Sequence, residues 1–219
     1  MKRFFVILLT LMFAVGANAQ KVGLVFSGGG AKGLAHIGVL KALEENNIPI
    51  DYVAGTSMGS IIGALYALGY TTDEMTELFH SRDFYNWLNG VTDSKLKYFY
   101  MEPEPSAAFF SLKFNRDSTL KVYLPTNIVS SYQMDFAYEE IMGPGGAAAN
   151  YDFDSLMVPF RCAASDVYAK KSIIFDHGHL STAVRASMAI PLYFKPVPYS
   201  DGILFDGGIY NNCPIDAMK

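Results

Sequence analysis

The chain has 219 residues, 51% of them apolar and only 17% charged, which is ample for a real core and excludes a disordered polyelectrolyte. Seventeen basic against 21 acidic residues give a net charge of −4, which argues against a dedicated nucleic-acid binder. Two cysteines make no disulfide framework, and neither stands in a zinc-type pair.

The N-terminus reads as a targeting segment. Lys2 and Arg3 form a basic start, Phe4 to Val15 is apolar apart from Thr10, and Ala17-Asn18-Ala19 supplies a small-x-small cleavage site. About twelve apolar residues fall short of the ~20 that span a bilayer, so residues 1–19 are expected to be a secretory signal peptide and 20–219 the mature domain. Loss of Lys2 and Arg3 would take the net charge to −6. No cysteine follows the cleavage site to carry a lipid, and no other segment is long and apolar enough to cross a membrane.

Val22 to Phe26 is then predicted to be a buried strand, running into Ser27-Gly28-Gly29-Gly30-Ala31-Lys32-Gly33. Leu34, Ile37, Leu40 and Leu43 recur at helical spacing, and that helix fades at Asn46-Asn47 ahead of Pro49. A second strand, Ile50 to Ala54, leads into Gly55-Thr56-Ser57-Met58-Gly59 and a helix with Ile61, Ile62, Leu65 and Leu68 on its apolar side, stopped by Gly69. Strand, glycine turn and helix, twice over, imply a parallel sheet covered on both faces. A later helix ends at His80. The stretch from Phe84 to about Asn150 reads as irregular structure with a hairpin or two over one end of the sheet; it holds Trp87, Tyr98-Phe99-Tyr100, Phe109-Phe110 and a loop at Gly143-Pro144-Gly145-Gly146. Val158 to Ala163 and Ser172 to Phe175 are expected strands, and Thr182 to Ala189 a short helix closed before Pro191. Ile203-Leu204-Phe205 is a strand ending in Asp206-Gly207-Gly208.

Gly55 to Gly59 matches G-x-S-x-G. Its glycines permit a strained strand-to-helix turn that lifts the Ser57 hydroxyl to the carboxyl edge of the sheet, and the strand before and helix after are the context a nucleophile needs. The pentapeptide alone would be weak evidence, since three fixed positions arise easily by chance. Gly28 to Gly33 also fits G-x-G-x-x-G, so a dinucleotide fingerprint is a rival reading, with Asp51 at about the right separation. A ribose-binding acid, however, belongs at the far end of the second strand, where the Ser57 turn stands. The favoured reading is an oxyanion hole in which N–H groups of Gly28, Gly29 and Gly30 point at developing negative charge, aided by the following helix. Lys32 suits an anionic group of a substrate or plain solvation equally. Asp206 is either an ordinary Asp-Gly turn residue or, beside Ser57, the base.

These residues together resemble the patatin-like phospholipase family, from Lys21 to the C-terminus and most weakly through Phe84 to Asn150. The family has an oxyanion loop like Gly28 to Gly33, a nucleophile elbow like Gly55 to Gly59 and a catalytic aspartate as in Asp206-Gly207-Gly208, in this order. Ala163-Ala164-Ser165-Asp166 and Ala183 to Ser187 through Ile190-Pro191 also look like its segments. The resemblance implies a three-layer α/β/α fold with a mainly parallel sheet. It implies calcium-independent hydrolysis of phospholipid or lysophospholipid acyl esters by a Ser57–Asp206 dyad, with no cofactor and with transient contact to a membrane surface. Family domains continue past the aspartate loop, whereas this sequence stops at Lys219, so a domain incomplete at its C-terminus is expected. Exported bacterial members often join the domain to an outer-membrane barrel, which implies a parent chain of that kind in the periplasm, the outer membrane or outside the cell.

His36, His80, His177 and His179 have bland readings, and His177 and His179 around Gly178, with no carboxylate cluster beside them, do not make a metal site. Cys162 looks like a strand-core residue, and export would permit a Cys162–Cys213 bridge whose geometry sequence cannot fix. Two rivals stay open: a generic α/β-hydrolase esterase, and a non-catalytic nucleotide or lipid-headgroup binder using the Gly28 loop.

Overall fold

The computed structural model describes residues 21–91, 113–114, 122–123, 127–200 and 202–218. Residues 1–19, expected to be a signal peptide, and the Tyr98-Phe99-Tyr100 and Phe109-Phe110 clusters lie outside these residues.

The centre of the molecule is a mixed sheet. Strand β1 (Gly23–Phe26) pairs in parallel with β2 (Tyr52–Thr56), and β2 in parallel with β5 (Phe160–Asp166). On the far side β5 meets β6 (Lys171–Phe175) antiparallel, and β8 (Gly202–Asp206) lies antiparallel between β5 and β7 (Val197–Tyr199). A separate two-stranded pair joins β3 (Lys113–Phe114) to β4 (Val122–Tyr123). The parallel trio carries the apolar continuity expected of strands covered on both faces: Val53, Ala54, Phe160, Cys162, Ala163 and Ala164 are fully buried.

The register along β5 decides which strand ends meet. Ala163 pairs with Thr56 on one side and Ile174 on the other, while the next residue, Ala164, pairs with Asp206 and Ile173. A strand residue has only two edges, so β2 and β8 share one edge of β5 and meet there end to end. The last residue of β2 and the last residue of β8 are thus brought together by two consecutive alanines.

Helices flank the sheet. Helix α1 (Ala35–Glu45) crosses from β1 to β2, and α2 (Met58–Ala67) starts directly after Ser57. Helix α2 is buried on almost every side, and it packs on β1, β2 and β5. Ile61, Ile62 and Leu65 are each exposed by 2% or less; full burial of such a side chain stabilises by roughly 1.5–3 kcal/mol. Helix α3 (Thr72–His80) opens with a capping box from Thr71 and Glu74, and α4 (Arg82–Asn89) with Ser81 as cap. Helix α6 (Leu180–Ser187) packs on β5 and β8.

The region from Phe84 is more regular than its sequence reads. Beyond α4, helix α5 (Tyr132–Ala148) runs through Gly143-Pro144-Gly145-Gly146, which is therefore not a loop. Tertiary packing overrides the breakers: α5 closes on the chain after α2, where a Cβ on Gly145 would stand 2.2 Å from the end of the Leu68 side chain and oblige it to shift. The short strand β7 is a further element that sequence pattern did not mark.

Candidate active site

Ser57 stands between β2 and α2 with φ 55° and ψ −124°, a left-handed conformation that a non-glycine residue adopts only when its surroundings hold it there. The elbow is so tight that a Cβ on Gly55 would lie 2.3 Å from the Gly59 carbonyl oxygen, and one on Gly59 would lie 2.4 Å from that of Phe26. Glycine at these two positions is a requirement of space. The Ser57 carbonyl is fixed by the Ser60 hydroxyl, which donates to it at 2.6 Å.

Across the end-to-end junction the Ser57 hydroxyl donates to Asp206 Oδ2 at 2.7 Å. Both residues are buried, at 7% and 8% exposure. The other oxygen, Oδ1, accepts the Gly208 N–H at 2.7 Å and so caps the 3-10 turn Gly207–Ile209. One oxygen thus serves the turn, while the other faces the Ser57 hydroxyl. Burial pushes its carboxyl pKa up, and the hydrogen bonds from Ser57 and Gly208 offset that only in part. Gly207 passes so close to β5 that a Cβ there would meet the Ala163 carbonyl oxygen at 2.2 Å.

The loop Gly28-Gly29-Gly30 faces Ser57. A Cβ on Gly28 would stand 3.0 Å from the Ser57 Cβ. The Gly28 N–H, however, donates to the Asn212 carbonyl at 3.1 Å, so the donor expected there is already engaged. The Asn212 side chain in turn donates to the Gly28 carbonyl at 3.4 Å, which ties the glycine loop to the segment after Asp206. Gly29 and Gly30 lead into the 3-10 turn Gly30–Leu34, in which Gly33 packs against Met58. Lys32 is exposed. Gly28 to Gly30, Ser57, Asp206 and Asn212 line an open cleft of about 480 Å³, whose other wall is the apolar set Ile190, Pro191 and Ile209. A second cavity of about 530 Å³, between α5, α6 and β7, shares no lining residue with it; there Arg185 is held by Asp135 and by the Lys195 carbonyl.

The remaining candidates are accounted for elsewhere. Asp51 accepts the Val22 N–H at 2.8 Å at the start of β2, the opposite end from the glycine loop, which removes the acid that a dinucleotide reading needs. His36 donates to the Ser27 carbonyl at 3.0 Å, and His80 to that of Thr76 at 2.8 Å. His177 pairs with Asp176, and His179 packs 4.9 Å from the Tyr151 ring. Cys162 is a buried free thiol whose pKa burial pushes up, and Cys213 is an exposed free thiol; the two are not bridged. Among the described residues no group of three or more His, Cys, Asp or Glu side chains could hold a metal ion, and no helix is long and apolar enough to cross a membrane.

Three hydroxyl residues, inside segments the sequence analysis quoted but given no role there, brace the site. Thr56 donates to the Asn211 carbonyl at 2.9 Å, Ser165 to that of Gly207 at 3.3 Å, and Ser187 to that of Ala163 at 2.6 Å while accepting the Ser57 N–H at 2.9 Å. All three are fully buried. Their partners are backbone atoms distant in sequence, and no residue pattern announces such contacts.

Comparison with known proteins adds independent findings. Residues 24–219 match the family described as patatin-like phospholipase. The chain is 32% identical over 204 residues to a patatin-like phospholipase domain-containing protein of Caenorhabditis elegans, covering 92% of this chain and 13% of that one. An uncharacterised NTE family protein of Mycobacterium bovis is 31% identical, with 91% of this chain and 46% of the relative covered. A lysophospholipase of Meyerozyma guilliermondii is 29% identical, with 91% and 12% covered. The chain thus spans less than half the length of these curated relatives. Among solved structures, VipD from Legionella pneumophila shares the fold, with a TM-score of 0.55 at 16% identity over 89% of this chain and 47% of that one.

Proposed function

We propose that this chain, which belongs to the patatin-like phospholipase family, is a lipid acyl hydrolase in which Ser57 is the nucleophile and Asp206 the base. The observation that carries the reading is the 2.7 Å hydrogen bond from the Ser57 hydroxyl to Asp206 Oδ2, made in a buried site while each histidine is engaged elsewhere. In the acylation step Ser57 Oγ attacks the ester carbonyl as its proton passes to Asp206 Oδ2. The carbonyl oxygen becomes an oxyanion, for which the N–H groups of Gly29 and Gly30 are the candidates, since that of Gly28 is spent on Asn212. Collapse expels the alkoxide, which takes the proton from Asp206; water then attacks the acyl-enzyme as one of its protons passes to Asp206, and the second collapse frees a carboxylic acid as Asp206 returns that proton to Ser57 Oγ.

The cleft supports the substrate class. Ile190, Pro191 and Ile209 offer an acyl chain an apolar wall, and Leu192 and Tyr210 stand 71% and 46% exposed just beyond them. That suits a phospholipid or lysophospholipid met at a membrane surface. Residues 1–19 carry the pattern of a signal peptide, and we propose export as well. The test is fatty-acid release by the full chain from a lysophospholipid, a diacyl phospholipid and p-nitrophenyl butyrate, beside Ser57→Ala. Release from a lipid ester that Ser57→Ala abolishes is expected. Hydrolysis of none of the three, or equal rates for the variant, overturns the reading and leaves a binding domain.

A further inference from the structure

We infer that the Ser187 hydroxyl is a positioning residue for the nucleophile, a one-oxygen wedge between β2 and β5 that holds Ser57 where Asp206 can reach it. The inference rests on the Ser57–Asp206 reading proposed above.

The wedge is visible in the ladder between the two strands. In a parallel pair, alternate residues of one strand donate to the partner strand's carbonyls at regular spacing. Val53 N–H donates to the Pro159 carbonyl at 2.9 Å. With Val53 opposite Phe160 and Thr56 opposite Ala163, the same spacing takes Gly55 to Arg161 and then Ser57 to Ala163. That last bond is not direct. Ser57 N–H donates to Ser187 Oγ at 2.9 Å, and Ser187 Oγ donates to the Ala163 carbonyl at 2.6 Å. A hydroxyl accepts and donates through one atom, so it can carry a ladder bond across a gap of its own width. The strands part at this point, and one residue further along β5 Asp206 takes the vacated edge opposite Ala164.

The same short segment holds the second member of the dyad. Two residues after Ser187, the Ala189 carbonyl accepts the Asp206 N–H at 2.9 Å. The end of α6 therefore grips the backbone of Ser57 and the backbone of Asp206 at once. Without the hydroxyl, two buried backbone groups lose their partner, and β2 can close directly onto β5. Ser57, held in a left-handed conformation by its surroundings, would then shift relative to Asp206 and the glycine loop.

The experiment compares Ser187→Ala and Ser187→Cys with wild type and Ser57→Ala, using p-nitrophenyl butyrate turnover, the rate of fluorophosphonate labelling and thermal melting. A misplacement of about 1 Å can cost about a hundredfold in rate. Ser187→Ala is expected to lower kcat about tenfold to a hundredfold, with KM within about twofold and labelling slowed in proportion. A thiol is a weak donor and acceptor, so Ser187→Cys is expected to lie between Ala and wild type. Wild-type kcat in Ser187→Ala, a loss confined to KM, or rates that follow melting temperature instead of hydrogen-bonding capacity would each overturn the inference. If Ser187→Ala does not fold, a folded Ser187→Cys with wild-type turnover overturns it, and a slowed one with unchanged KM supports it. Turnover by Ser57→Ala would instead sink the dyad reading, whatever Ser187 does.

Discussion

In Asp206 one oxygen is held by the Gly208 N–H while the other faces the Ser57 hydroxyl, so neither is free to rotate away. Burial raises this carboxyl above the ordinary 3.8, and only its ionised form can accept the Ser57 proton. Activity is therefore lost as pH falls through the folded-state pKa, and the kcat/KM profile is expected to show an acid limb above the free-aspartate range. A profile flat down to pH ~4, where a free aspartate is still about half ionised, contradicts that assignment. The stability sign is opposite. A carboxyl with a raised folded pKa favours folding fully below its unfolded value, and this contribution fades as pH rises through the folded one. Asp206→Asn removes the cost of burying the charge and keeps an acceptor for Gly208 N–H. It should melt no lower than wild type at neutral pH, by calorimetry, while turning over no ester. Glutamine in place of His36, His80, His177 or His179, one at a time, should leave most activity; a folded histidine variant as inert as Ser57→Ala would require a triad. The meeting of Ser57 and Asp206 was legible because the proposed chemistry demands particular residue types at element boundaries. Ser187 was not, because its partners, Ser57 N–H and the Ala163 carbonyl, are backbone atoms that no side-chain pattern reveals.

Among the elements, apolar periodicity and glycine punctuation place helices α1 and α2 and strands β1 and β8 where they stand. Strand β2 runs two residues further than expected, to Thr56, because the β5 ladder continues to Ala163 and holds it. Helix α5 was hidden by its own breakers, although Met134, Ala137, Tyr138 and Met142 bury one face at helical spacing. Its Pro144 forgoes one backbone bond, and Gly145 leaves room for the Leu68 side chain. The elbow makes the sharper test. Gly59→Ala forces a Cβ to within 2.4 Å of the Phe26 carbonyl oxygen, so β1 must move away from α2. Overpacking of this kind costs about 1–3 kcal/mol or more, and denaturant melts should show at least that loss together with greatly reduced turnover. A Gly59→Ala variant as stable and active as wild type would mean that the elbow is looser than these distances state.

At the scale of the molecule, the β1–β2–β5 trio supplies a rigid base and the antiparallel β8 delivers a carboxylate to it from the opposite direction. The proposed dyad thus sits where two strands share one edge of a third. The N-terminal segment bears on where the molecule works: expressed in a secreting bacterial host, the chain is expected to begin at Gln20 by N-terminal sequencing, and intact Met1 in the exported fraction would contradict export. The central claim, that Ser57 is an activated nucleophile, is tested most directly by fluorophosphonate labelling of the folded chain, read by intact mass and peptide mapping. One adduct per chain, on Ser57, absent in Ser57→Ala and strongly slowed in Asp206→Asn, is expected. No adduct, an adduct on another residue, or labelling that is indifferent to Asp206 would contradict the account.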